Sequence, residues 1–136
     1  MFYSGSSNLR YRIALSLLLM KRITIKDIRK DSINPGITQY EHAFLQLIER
    51  LTTSSLFEIN KTGTVLKFTP GIITNNSAIP FEFDCGNKAI SYFIIGIIPI
   101  AIFGKEPLEV RFTGATHTNS DMSIESLQKY ISAISQ

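Results

Sequence analysis

Residues 29–51, RKDSINPGITQYEHAFLQLIERL, carry the clearest hydrophobic pattern of the chain. Ile37, Tyr40, Phe44, Leu47 and Leu51 step by three and four, the spacing of one face of an α-helix. Two starts compete for this helix. Asn34 can cap it with Pro35 at the first helical position. Thr38 can cap it with Glu41 three residues on, a capping box. The pattern predicts a start between 35 and 38 and an end near Leu51-Thr52-Thr53.

The rest of the chain reads by the same rules. Residues 1–5 predict a short strand ending at Gly5, and Ser6, Ser7 and Asn8 offer caps for a helix over 9–20. Apolar residues cover most sides of that helix, so it is expected to be buried, and Lys21-Arg22 close it at the negative end of its dipole. A strand follows over 23–28. Two short runs around Lys61-Thr62-Gly63 predict a β-hairpin that Pro70-Gly71 ends. Past a polar linker at 72–79 the order begins again. Phe81, Phe83 and Cys85 alternate with Glu82 and Asp84, an apolar helix is expected over 88–103, and Leu108, Val110 and Phe112 alternate as a second strand. A polar loop over 114–121 leads to a last helix carrying Ile124, Leu127, Ile131 and Ile134.

The pattern is an internal repeat. Ile37, Tyr40, Phe44 and Leu47 map onto Ile124, Leu127, Ile131 and Ile134 at a constant offset of 87, and Gly5 maps onto Gly86. The expected fold is α/β, built from tandem β-α-β-α-β-β repeats, each a mixed sheet with two helices on one face. Residues 1–71 form the first copy, 72–79 the linker and 80–136 a second copy without its final hairpin. A helix left uncovered in this way suggests a fragment, or a surface completed by a partner.

Composition narrows the class. With 44% hydrophobic and 18% charged residues, the 136-residue chain is expected to fold around a core. The net charge of +3 is unevenly placed: seven of the fourteen Lys and Arg lie between residues 10 and 30, offset there only by Asp27. A local basic surface or a solvated helix-strand edge both fit. One cysteine permits no internal disulfide, and the N-terminus has no signal-peptide order, which points to a reducing intracellular compartment. The apolar run over 89–103 falls short of the roughly 20 residues of a membrane span and is broken by Gly96 and Pro99, so no membrane association is expected.

Spacing supplies little catalysis. No P-loop and no Gly-x-Gly-x-x-Gly is present, and His42, His117 and Cys85 do not make a metal site. No cofactor is expected. Asp27, Asp31 and Glu41 could hold a metal for RNA cleavage or pair with Arg29, Lys30 and Arg12 on the surface. Arg29 and Lys30 precede a helix N-terminus, where an anion could bind. Cys85 reads as a core thiol and His42 as an exposed helix residue.

The stretches SSNLRYRIALSLLLMKRITIKDIR, NPG and NKTGTVLKFTPGII resemble, in order and spacing, the RNA 3′-terminal phosphate cyclase family, and more narrowly its non-cyclising branch of ribosome biogenesis. The resemblance implies the repeat fold and a role in small-subunit rRNA maturation in the nucleolus. It implies as partners pre-ribosomal RNA, a nucleolar GTPase of small-subunit assembly and other pre-ribosome proteins. Cyclases adenylylate a histidine to close an RNA 3′-phosphate, and this sequence departs from their motifs. Their glycine-rich Gly-Glu-Gly-Gly-Gly-Gln segment is replaced by Ser4-Gly5-Ser6-Ser7-Asn8-Leu9, with Gly5 at the glutamate position. Arg12 is kept, Ser32 stands for an arginine and Tyr40-Glu41 for a Gln-His pair. The nucleophilic histidine belongs to a later part of the family fold, beyond these residues. The expectation is a catalytically inactive binding protein, with Arg10, Arg12, Arg29 and Lys30 as the RNA- or partner-binding residues. The rival reading is an RNA-processing enzyme, either a pre-rRNA endonuclease or a residual cyclase.

Overall fold

A computed structural model describes residues 1–73, 81–103, 110–114 and 122–123. The fold is α/β, with mixed sheets and, among the described residues, three helices. The predicted last helix and His117 lie outside the described residues.

The first β-α-β unit is strand β1 (Phe2–Ser4), helix α1 (Leu9–Leu19) and strand β2 (Ile23–Lys26). β1 and β2 pair in parallel, with Tyr3 opposite Ile25. The predicted side-chain cap of α1 does not form. Asn8 stands at the cap position in the left-handed region at φ 58°, and its side chain caps nothing. The helix ends in a Schellman arrangement: Met20 takes φ 54°, and the Lys21 and Met20 amides donate to Ser16 and Leu17. Lys21 and Arg22 therefore fall past the last turn instead of on it. Ser16, fully buried, donates its hydroxyl to the Lys21 carbonyl.

Helix α2 (Gln39–Leu51) starts at Thr38, and the capping box decides between the two candidate starts. Thr38 Oγ1 accepts from the Glu41 amide at 3.2 Å, and Glu41 Oε1 accepts from the Thr38 amide at 2.8 Å. Two donors at the helix end are thus satisfied at once, which Asn34 and Pro35 could not do. The stripe turns inward as expected: Phe44, Leu45, Leu47, Ile48 and Leu51 are buried.

Two-residue strand β3 (Thr52–Thr53) follows, then the hairpin of β4 (Leu56–Ile59) and β5 (Leu66–Thr69). Phe57 stands opposite Phe68 with ring centroids 4.4 Å apart. The four-stranded sheet runs β1-β2-β5-β4, with β5 antiparallel to both neighbours. Alternation explains its faces: Ile23, Ile25, Leu66 and Phe68 point into the core while Lys26 and Lys67 face solvent. β6 (Ile72–Ile73) pairs antiparallel with β3, so the stretch read as linker begins with a short strand. Two-residue strands have no period to show in sequence.

The second unit repeats the first. β7 (Phe81–Asp84) and β8 (Val110–Thr113) pair in parallel and are joined through α3 (Ile90–Phe103). Gly5 and Gly86, matched by the repeat, both take positive φ, 81° and 62°, at the turn after the first strand. A further strand, β9 (Met122–Ser123), pairs antiparallel with β8 where a polar loop was read just before it. α3 runs through Gly96 and Pro99 without ending. No helix among the described residues is long and apolar enough to cross a membrane.

α1 and α3 pack on one another, and Gly96 makes the close approach possible. A Cβ there would lie 2.6 Å from the ring of Phe44 and 3.1 Å from Cδ of Arg10. The buried side chains of both units join in one core, from Leu9 to Phe112.

Candidate functional site

The packing of α1 on α3 brings three turns together: the one before α1, the loop before α2 and the one before α3. The helix N-terminal ends form the wall of a cleft. Chemistry in this cleft is set by how each charge is already held.

The loop before α2 folds back on itself. Asp27 and Arg29 both take positive φ, 56° and 46°. Its end is fixed by backbone hydrogen bonds: the Gly36 amide donates to Ile28 O at 3.0 Å and the Ile37 amide to Gly63 O at 2.9 Å. The Asn34-Pro35-Gly36 segment therefore seats on the Thr62-Gly63 turn, so two stretches of the family resemblance meet in space. This geometry aims Arg29 at the start of α2. Its Nη1 donates to Glu41 Oε1 at 2.6 Å and its Nη2 to Oε2 at 3.1 Å, a two-pronged ion pair. Nη1 also reaches Gly36 O at 3.3 Å. The bond to Glu41 pushes the Arg29 pKa up further from its ordinary value, against the opposing effect of burial. Glu41 is 4% exposed. Its carboxylate thus occupies the place at the α2 N-terminus where an outside anion was considered. The capping box is the physical reason: an internal carboxylate meets both the Thr38 amide and the guanidinium.

The other three predicted residues are placed differently. Arg10 is half-buried; Nη1 donates to Tyr92 O at 2.7 Å, and the guanidinium lies 4.2 Å from the Tyr92 ring centroid. It ties α1 to α3 and lines the cleft with Arg29. Arg12 turns away to Gly5 O at 3.0 Å and the Tyr3 ring at 4.5 Å. Lys30 is exposed, its Nζ 4.0 Å from Asp27 Oδ1, a weak surface pair. Arg10 and Arg29 are therefore brought together, while Arg12 and Lys30 stand elsewhere.

One cation of the cleft was missed in the sequence. Lys88 Nζ lies 4.0 Å from the centroid of Tyr40 and 5.0 Å from that of Tyr92. The two rings meet edge to face at 5.2 Å. Burial is the main cause that pushes the Tyr92 hydroxyl up to about 12, with the Glu41 charge adding to it. The tyrosine is thus a neutral hydrogen-bonding group at physiological pH.

Carboxylates do not gather. Asp27 accepts from Ser4 Oγ at 3.3 Å and faces Lys30, and Glu41 is held by Arg29. Among the described residues, no three of His, Cys, Asp and Glu come together in a way that could hold a metal ion. His42 is exposed on α2, and Cys85 is buried, with burial the first cause that pushes its thiol up to about 11. Such a thiol is protonated and a poor nucleophile.

A sequence profile of the family described as RNA 3′-terminal phosphate cyclase matches residues 1–136. A Dictyostelium discoideum relative named probable RNA 3′-terminal phosphate cyclase-like protein is 37% identical over 127 residues, 93% of this chain and 34% of the relative. A Saccharomyces cerevisiae relative named rRNA processing protein RCL1 is 37% identical over 126 residues, with the same coverage of 93% and 34%. A human RNA 3′-terminal phosphate cyclase-like protein is 35% identical over 127 residues, 93% of this chain and 33% of its own length. The chain thus spans about a third of the length of these relatives.

Proposed function

The chain belongs to the RNA 3′-terminal phosphate cyclase family, and on that premise we propose that it is a non-cyclising member that acts in rRNA processing by binding. Its place is small-subunit pre-ribosome assembly in the nucleolus. Its partners are pre-ribosomal RNA, a nucleolar GTPase of that assembly and other pre-ribosome proteins. The names of the relatives support the direction of this reading, since one of them is called an rRNA processing protein and the other two cyclase-like.

The observation that carries the reading is the Arg29–Glu41 fork. The resemblance puts a Gln-His pair of the cyclase chemistry at Tyr40-Glu41. Here Glu41 closes a capping box and neutralises an arginine, which is a structural task. Of Arg10, Arg12, Arg29 and Lys30, the exposed Lys30 and the cleft-lining Arg10 are the ones left to meet RNA, since Arg29 is held by Glu41 and Arg12 by Gly5 O and the Tyr3 ring. Exposed cations on phosphate give an affinity that falls steeply with salt.

The test of the inactive half of this reading is direct. The purified chain is incubated with an RNA bearing a 3′-phosphate, ATP and Mg²⁺. The expected result is neither an adenylylated protein nor a 2′,3′-cyclic end. Either product would contradict the proposal.

A further inference from the structure

The cleft has two chambers of about 340 Å³ each, and Tyr40 and Lys88 line both. They form the ridge between them. The chamber toward α1 holds Arg10, Arg29 and Lys88 against the single carboxylate of Glu41, so it is positive. The chamber toward the β7–α3 turn is walled by Tyr40, Ala43 and Cys85, with Gln39 and Asn87 also lining it. Asp84 lies on that same side, its Oδ1 accepting from the Gly86 amide at 2.8 Å, and its charge would turn a phosphate away. A positive chamber beside one whose Lys88 and Asp84 charges offset has the division of a nucleotide, phosphate on one side and base on the other.

We propose that this two-chambered cleft takes one nucleotide of a single-stranded RNA. The phosphate sits by Lys88 and Arg10, and the base lies beyond Tyr40, its edge facing Gln39 and Asn87. This deepens the RNA-binding reading above and rests on it. The chemistry selects an internal phosphodiester over a terminal phosphate. The fork of Arg29 is spent on Glu41, and Nη1 of Arg10 is turned to the Tyr92 carbonyl, so neither offers the open two-pronged grip that suits a dianion. Lys88 supplies a point charge instead. It has cation–π contacts with two tyrosines and no ion-pair partner among the described residues. A phosphodiester gives it one, and the base adds stacking that no free anion can supply.

The test uses a 5′-fluorescent oligouridylate with a 3′-hydroxyl, its affinity read by anisotropy across a range of salt concentrations. Lys88→Ala is expected to bind about tenfold more weakly and to lower the magnitude of the log–log salt slope by about 0.7, one phosphate contact. Tyr40→Ala is expected to lose about as much with the slope unchanged, the signature of lost stacking. Tyr40→Leu, which keeps more of the packing, replaces it if circular dichroism shows Tyr40→Ala unfolded. Inorganic phosphate is expected to compete only at concentrations far above the oligonucleotide, and a 3′-phosphorylated oligonucleotide to gain no more than twofold. Folded variants that bind as the parent does would overturn the site while leaving the RNA-binding reading standing. A parent chain that binds no RNA would overturn both. Equal competition by inorganic phosphate would reduce the cleft to a simple anion site. Displacement of the RNA by an equal concentration of an oligoglutamate peptide would mark an acidic protein segment as the occupant. Each of these outcomes rejects the proposal.

Discussion

Gly36→Ala is expected to remove roughly 3–5 kcal/mol of folding stability, from left-handed backbone strain and overpacking together. Gly36 has φ +90°, and a Cβ added there would lie 2.1 Å from the Thr62 carbonyl oxygen and 2.8 Å from the Gly63 carbonyl carbon. Both obstacles are backbone, so no side chain can swing aside. The loss is a large part of the roughly 5–15 kcal/mol that holds a domain of this size together. Gly63→Ala is the internal control. Gly63 also has positive φ, +71°, but its Cβ would come no nearer than 3.2 Å to the Ile37 amide nitrogen. Its cost should stay near the strain contribution alone, about 1–2 kcal/mol. Urea unfolding of the two variants checks the pair. A loss below 1 kcal/mol for Gly36→Ala would mean that the loop does not seat on the hairpin turn as described.

Glu41→Ala is expected to cost about 2–4 kcal/mol. The capping box accounts for about 1 kcal/mol. The remainder comes from leaving Arg29 without its partner, a penalty of about 3–5 kcal/mol in a fully buried pair. That penalty is discounted here because the Arg29 side chain is 28% exposed and reaches water. Arg29→Ala together with Glu41→Ala should be less destabilised than the two single losses added, because the double variant strands no charge. Denaturant midpoints of the four proteins measure the coupling. Strict additivity would show that the fork contributes nothing.

These two residues also show what the sequence makes legible. Thr38 and Glu41 are three apart, so the spacing offers a capping box, but only the structure decides it against Asn34-Pro35. Phe44, Leu47 and Leu51 were legible because helical burial follows a period. Arg29 reads in sequence both as an anion-binding cation near a helix end and as a surface partner of Asp27, Asp31 or Glu41, because nothing in the spacing reveals its positive φ or singles out Glu41 as its partner. The two parallel strand-helix-strand units were legible in the chain order and in the paired glycines at 5 and 86, while the match of Ile37, Tyr40, Phe44 and Leu47 to Ile124, Leu127, Ile131 and Ile134 lies outside the described residues. Strands β3, β6 and β9 were not, since a pair of residues carries no alternation.

The cleft was half legible. Arg10 and Arg29 were named as candidates, and the fold brings them together. Lys88 carries no signal in the sequence, where it is the first residue of the expected helix 88–103; in the structure that helix starts at Ile90 and leaves Lys88 in the turn before it. Its value comes from tertiary packing: α3 lies on α1 through Gly96, which carries the start of α3 to Tyr40. Contacts between elements far apart in the chain leave no periodic trace. Arg12, by contrast, was named for its place in the family motif. Here it spends its charge on Gly5 O and the Tyr3 ring.

That the chain holds single-stranded RNA without altering it is our proposal, and it stands or falls on binding. The most direct measurement is the affinity of the intact chain for a short single-stranded RNA from a small-subunit precursor, followed from low to physiological salt. The account predicts saturable binding with a log–log salt slope of roughly −1.5 to −3, the release expected from two to four phosphate contacts on a single strand. No saturable binding at low salt, or an affinity indifferent to salt, would contradict it.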